Sequence, residues 1–114
     1  MTSQQWAETD FRVVIGRTCI DYDQKKEQTN RNKHKYSLES AVYLLQRLIL
    51  PIPSPLFITT APFEEKGEVR HNHMTRDDNG QVLFFVTTMR PRETVRVISL
   101  RLASADEKSL YVEL

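Results

Sequence analysis

Val69-Arg-His-Asn-His-Met-Thr75 and Gln81-Val-Leu-Phe-Phe-Val-Thr-Thr-Met89, flanking Asp77-Asp-Asn-Gly80, decide the fold. Two segments rich in β-formers enclose an Asn-Gly dipeptide, which supplies the positive φ that a tight hairpin needs. Toward the C-terminus, Arg90-Pro-Arg-Glu93 is a second turn signal and Thr94 to Arg101 a third strand, giving an antiparallel meander. Ser104-Ala-Asp-Glu107 has capping-box spacing, in which the Ser oxygen and the Glu carboxylate each satisfy a backbone N–H, and opens a short helix to about Glu113. Toward the N-terminus, Leu56 to Thr60 is apolar and prolines precede it, which suits either an edge strand or an ordered loop. Ser37 N-caps a helix whose Leu38, Ala41, Val42, Leu45 and Leu48/Ile49 form one apolar stripe, ended by Pro51. Asp23 N-caps a polar surface helix reaching about Lys33, and Phe11 to Ile15 and Thr18 to Tyr22 read as short strands. The class is α+β: a three- to four-stranded antiparallel sheet, two N-terminal helices and a short C-terminal helix, with the helices on one face.

The 114 residues make a single domain, 1–114. Hydrophobic residues are 39% and charged residues 27%, a balance that argues against a disordered chain and against a membrane protein. No apolar run approaches the ~18 residues of a spanning helix, and Met1 to Trp6 lacks the basic and apolar regions of a leader, so a cytoplasmic location is expected. Cys19 stands alone, which excludes an internal disulfide and a thiolate metal cluster and reads as a small buried hydrophobe. Net charge is +1, so any nucleic-acid binding must be local. Two segments meet that condition: Lys25 to Lys35 and Met89 to Arg101 are both strongly basic, the first against Glu27 alone and the second against Glu93 alone.

Tyr22-Asp23, Lys26, Asn30, Lys33 and His34 reproduce the spacing Trp/Tyr-Asp-x-x-Lys-x-x-x-Asn-x-x-Lys-His. After it come Glu39 and Ala41, then Glu68 and Arg70, Thr88 and Arg90, the run Arg96-Val-Ile-Ser-Leu-Arg101, and finally Ala103, Glu107 and Tyr111. This order resembles the BrnT family, the toxin half of a bacterial toxin–antitoxin pair, over roughly residues 20–113. Residues 1–19 extend beyond the resemblance. Lys35 stands where the family has a Gly suited to a left-handed helix cap, so the exit from the first helix is expected to differ in angle. Arg70-His-Asn-His-Met74 replaces a more apolar strand. The resemblance implies a RelE-like ribonuclease fold without cofactor, an RNA substrate, neutralisation by a cognate BrnA-like antitoxin, and DNA contact only through the antitoxin complex.

The residue types suit that chemistry without a metal. Cleavage of RNA by its own 2′-hydroxyl needs a base, cations for the charge growing on the phosphate, and an acid for the leaving 5′-oxygen. Lys26, Asn30, Lys33 and His34 share one helix face about two turns long. With an unperturbed pKa of ~6.5, His34 is the candidate acid or base; Lys26 and Lys33 contact phosphate and Asn30 positions it. A strict two-residue period places Val95, Val97, Ser99 and Arg101 on one side of the last strand and Arg96, Ile98 and Leu100 on the other. The two arginines then need not meet. Arg101, with Arg70 and Arg90 at other strand ends, can converge on a phosphate, for which a guanidinium fork is well shaped; Arg101 ranks above Arg96.

Plainer readings stand beside these. The helix face can be a solvated surface, Lys33-His34 a cationic C-terminal cap, and Arg96 and Arg101 partners of Glu93, Glu68 or Glu107. His71 and His73 have a spacing compatible with a metal, but without a neighbouring Cys or paired carboxylate they read as exposed or hydrogen-bonded histidines. Trp6 and Tyr22 either stack on bases or pack. The rival function is a catalytically weak module that forms an autorepressing, DNA-binding complex with its antitoxin; a weaker third is an RNA-binding domain without nuclease activity.

Overall fold

The computed structural model describes residues 7–114. Its elements are β1 (Cys19–Tyr22), α1 (Gln24–His34), α2 (Glu39–Gln46) extended by a 3-10 turn at Arg47–Ile49, β2 (Phe57–Thr59), β3 (Phe63–Glu65), β4 (Glu68–Arg76), β5 (Val82–Arg90), β6 (Thr94–Leu102) and α3 (Ala105–Val112). Local signals act as read. The Asp23 carboxylate accepts the Lys25 N–H at 2.9 Å, and Ser104 and Glu107 form both halves of the capping box. Gly80 takes φ 82 in the β4–β5 turn, where the Asp77 carboxylate accepts the N–H groups of Asn79 and Gln81.

The sheet is larger and less regular than the sequence suggests. Six strands run in the order β1-β6-β5-β4-β2, with β3 also on β4, and β1 lies parallel to β6. The expected three- to four-stranded antiparallel sheet is thus a six-stranded mixed one. A parallel pair requires a long crossover, and Cys19 meets Thr94 with α1, α2 and the whole meander between them, so no local turn announces it. Phe11 to Ile15 forms no strand; Phe11 and Val13 instead lay their side chains on the core. Leu56 to Thr60 resolves into the edge strand β2.

Nor do the helices share a face. α2 buries Leu38, Ala41, Leu44 and Leu45 against Leu83, Phe85, Val95, Val97 and Leu100. α3 covers the opposite side, where Ala103 and Tyr111 pack with Met74 and Val82, and Phe84 lies against them. Consecutive Phe84 and Phe85 make both sides of β5 apolar, and each needs a cover. α2 starts at Glu39, one residue later than a Ser37 cap would give: Ser37 Oγ accepts the Glu39 N–H, while Glu27 of α1 accepts the Leu38 N–H at 2.9 Å.

A β-bulge resets the side-chain phase of β6. Val86 faces Ser99 but Thr87 faces Val97, so Ile98 is the extra residue. Val95, Val97 and Leu100 therefore all point to the α2 core, and Arg96, Ser99 and Arg101 share the other side. The strict alternation read from the sequence is corrected, and the two arginines lie on one face.

His71 and His73 belong to the α2 side. His73 is 1% exposed, its ring centroid 4.4 Å from that of Phe11 and 5.0 Å from Phe85, with Thr59 and Thr87 hydroxyls on its two nitrogens at 3.0 and 2.7 Å. Burial, followed by the neighbouring His71, pushes its pKa down to about 3. Cys19 is exposed, not buried as expected, because it opens an edge strand. Trp6 lies outside the described residues.

Candidate nucleic-acid interface

β1 covers only Thr94–Val97 of β6. Beyond it α1 takes over the edge: the Asp23 N–H donates to Val97 O at 2.9 Å, and Asn30 Nδ2 donates to Leu100 O at 2.9 Å while its Oδ1 accepts the Leu100 N–H at 3.0 Å. One amide side chain stands where a strand would. Asn30 Nδ2 also donates to Tyr36 O, so both amide hydrogens are engaged and the residue is buried. The expectation that Asn30 positions phosphate is corrected on this geometry; it positions α1. Lys35 ends the helix at φ 66, ψ 19, with its N–H on Arg31 O. The left-handed cap therefore forms without glycine, and the expected change of exit angle does not arise from a lost cap.

Docked this way, α1 turns Lys26, Thr29, Lys33 and His34 toward Ile98 and Ser99 of β6 and Lys66 of the β3–β4 turn. These groups, with Asn30 in the wall, line a hollow of about 480 Å³ that no carboxylate lines. Lys26, Lys33 and Lys66 have no ion-pair partner among the described residues, where the pairs are all formed by arginines. Half-buried His34 has its pKa lowered by desolvation first, then by the positive charges of Lys33 and Arg101. Its neutral form is favoured at neutral pH, which is the form a base requires.

A second hollow of about 460 Å³ adjoins the first across Ile98. Arg90 and Arg96 line it with Asp21, Asp23 and Glu68. Arg96 grips Asp21 in a fork at 3.0 and 3.1 Å, and Arg90 lies 3.8 Å from Glu68. Arg70, also assigned to phosphate from the sequence, is 7% exposed and held by Glu65 at 2.6 Å and Glu68 at 2.8 Å. Arg101 stacks on Phe84 at 4.2 Å and forks onto Glu107 at 2.7 and 3.0 Å. Arg101 thus acts on His34 through its field while its hydrogen bonds serve the start of α3.

The structure accordingly brings Lys26, Lys33 and His34 together, sets Arg101 near them, places Arg90 and Arg96 next door, and buries Arg70 among acids. Lys66, Thr29 and Ser99 escaped the sequence reading. Lys66-Gly67 is a two-residue hairpin tip with φ 52 and 78, the signature of a type I′ turn, but Glu64, Glu65 and Glu68 around it give the segment an acidic composition that hides its lysine.

A family model described as the ribonuclease toxin BrnT of a type II toxin–antitoxin system matches residues 22–107. The chain is also similar in fold to the crystal structure of the Brucella abortus ribonuclease toxin BrnT, at 21% identity and a TM-score of 0.51, over 76% of this chain and 97% of that one. No curated protein matches.

Proposed function

Because the chain belongs to the BrnT family of ribonuclease toxins of type II toxin–antitoxin systems, we propose that it is a metal-independent endoribonuclease of RelE-like type that cuts RNA in the acid-free hollow. In the cytoplasm it inhibits translation and is neutralised by a cognate antitoxin, and it reaches DNA only as part of that complex. The observation that carries this reading is a half-buried imidazole among lysines that no carboxylate compensates. Neutral His34 takes the proton of the 2′-hydroxyl as that oxygen attacks phosphorus. Lys26 and Lys33 meet the charge growing on the phosphate, in a site where few acids dilute their field. The bond to the 5′-oxygen then breaks, leaving a 2′,3′-cyclic phosphate, and the imidazolium, crowded by cations, returns its proton to the departing oxygen.

The test is growth on induction in a bacterial host together with mapped cleavage of RNA by folded protein in EDTA. Growth arrest and cleavage that persists in EDTA are expected; no arrest and no cleavage refutes the enzyme reading, and loss in EDTA refutes the metal-free mechanism. One observation favours the rival module, since Arg70, Arg96 and Arg101 all have carboxylate partners. That module would bind its antitoxin tightly while leaving RNA intact.

A further inference from the structure

The β3–β4 turn brings Lys66 to the hollow that α1 lines, and three observations bear on that lysine. First, it lines the same hollow as Lys26, Lys33 and His34, yet comes from a different element. Second, it sits at φ 52, a left-handed conformation that disfavours any residue with a Cβ and that glycine or asparagine would adopt at lower cost. Third, two of its three acidic neighbours in sequence are occupied: buried Arg70 binds Glu65 at 2.6 Å and Glu68 at 2.8 Å. Arg70 holds both of those carboxylates, and Lys66 has no ion pair among the described residues.

We infer that Lys66 is a backbone phosphate contact of the RNA, holding the strand from a different element than Lys26 and Lys33. The inference rests on the reading that the hollow takes RNA. A single strand laid between helix and hairpin would place one phosphate against α1 and another against the turn, which suits the separation of the cations into two elements. Lysine is apt here, since a point charge on a flexible stem tolerates the varied backbone of an unpaired strand.

The experiment measures binding of a 2′-O-methyl RNA oligonucleotide, which lacks the attacking hydroxyl, over a range of salt concentrations. Wild type is compared with Lys66→Gly, Lys66→Arg and Lys26→Ala. Each lost phosphate contact is expected to reduce the slope of log affinity against log salt by about 0.7. Lys66→Gly should show that reduction with a thermal midpoint no lower than wild type, because glycine suits the turn; Lys66→Arg should keep the slope. An unchanged slope in Lys66→Gly alongside a reduced one in Lys26→Ala overturns the role of Lys66 and leaves the hollow as the RNA site. Absence of binding by wild type overturns both.

Discussion

Two hollows meet at Ile98 on the same side of the sheet, and they treat positive charge in opposite ways. One gathers lysines and an imidazole with no acid; the other supplies Asp21 and Glu68 to its arginines. The difference follows from where each cation is anchored. Arg90 and Arg96 rise from strands whose neighbours carry carboxylates at matching positions, and Asp21 lies opposite Arg96 in the parallel register. A guanidinium fork is well suited to such a partner. Lys26 and Lys33 rise from a helix seated on the sheet edge; no carboxylate lines their hollow, and neither forms an ion pair among the described residues. A run of basic residues in a sequence says how much charge is present, whereas its availability depends on what lies across the strand.

Mutation and pH titration both test the contrast. His34→Ala should cut the cleavage rate by about 10²- to 10⁴-fold, the range for loss of a general acid–base group, with an unchanged melting curve. Arg96→Ala should leave most of the rate; an equal loss from both would erase the distinction between the hollows. Asn30→Ala should lower unfolding free energy in urea by roughly 2–4 kcal/mol, since it strands the Leu100 N–H and C=O at a buried edge. A wild-type urea midpoint would mean that α1 is held by something else.

Titration separates the histidines on the two sides of the sheet. His73 has a folded pKa of about 3 against 6.5 in the unfolded chain, so between those values the unfolded state binds a proton that the folded state refuses. Stability is fully present above pH 6.5 and should fall by about 1.4 kcal/mol per pH unit on acidification toward 3, read by denaturant titration. For His34, whose pKa is also lowered, the acid limb of the rate profile should lie below 6.5; a limb above it would contradict the cationic surroundings. The smallest effect is expected from Lys35→Gly, which relieves the left-handed φ of 66 and should raise stability by about 1 kcal/mol without changing cleavage.

Much of the frame was legible locally. Asp23, the Ser104/Glu107 box and Asn79-Gly80 each fix a helix start or a turn through groups within a few residues, and local chemistry is what a sequence displays. Long-range features were not. The parallel pairing of β1 joins residues 75 positions apart, and the Asn30 bridge spans 70. The extra residue Ile98 carries no turn signal, because Val97-Ile98 in a run of β-formers looks like uninterrupted strand. In the site, the Lys26/Lys33/His34 face was visible from helical spacing, while the engagement of the arginines and the arrival of Lys66 depended on neighbours brought in by the sheet.

The amide of Asn30 has one more consequence. An open β-strand margin is a template on which a foreign backbone can add itself, and chains with such margins polymerise. By occupying Leu100 with a side chain, α1 denies that template, so loss of Asn30 should be watched for fibrils or oligomers as well as for unfolding.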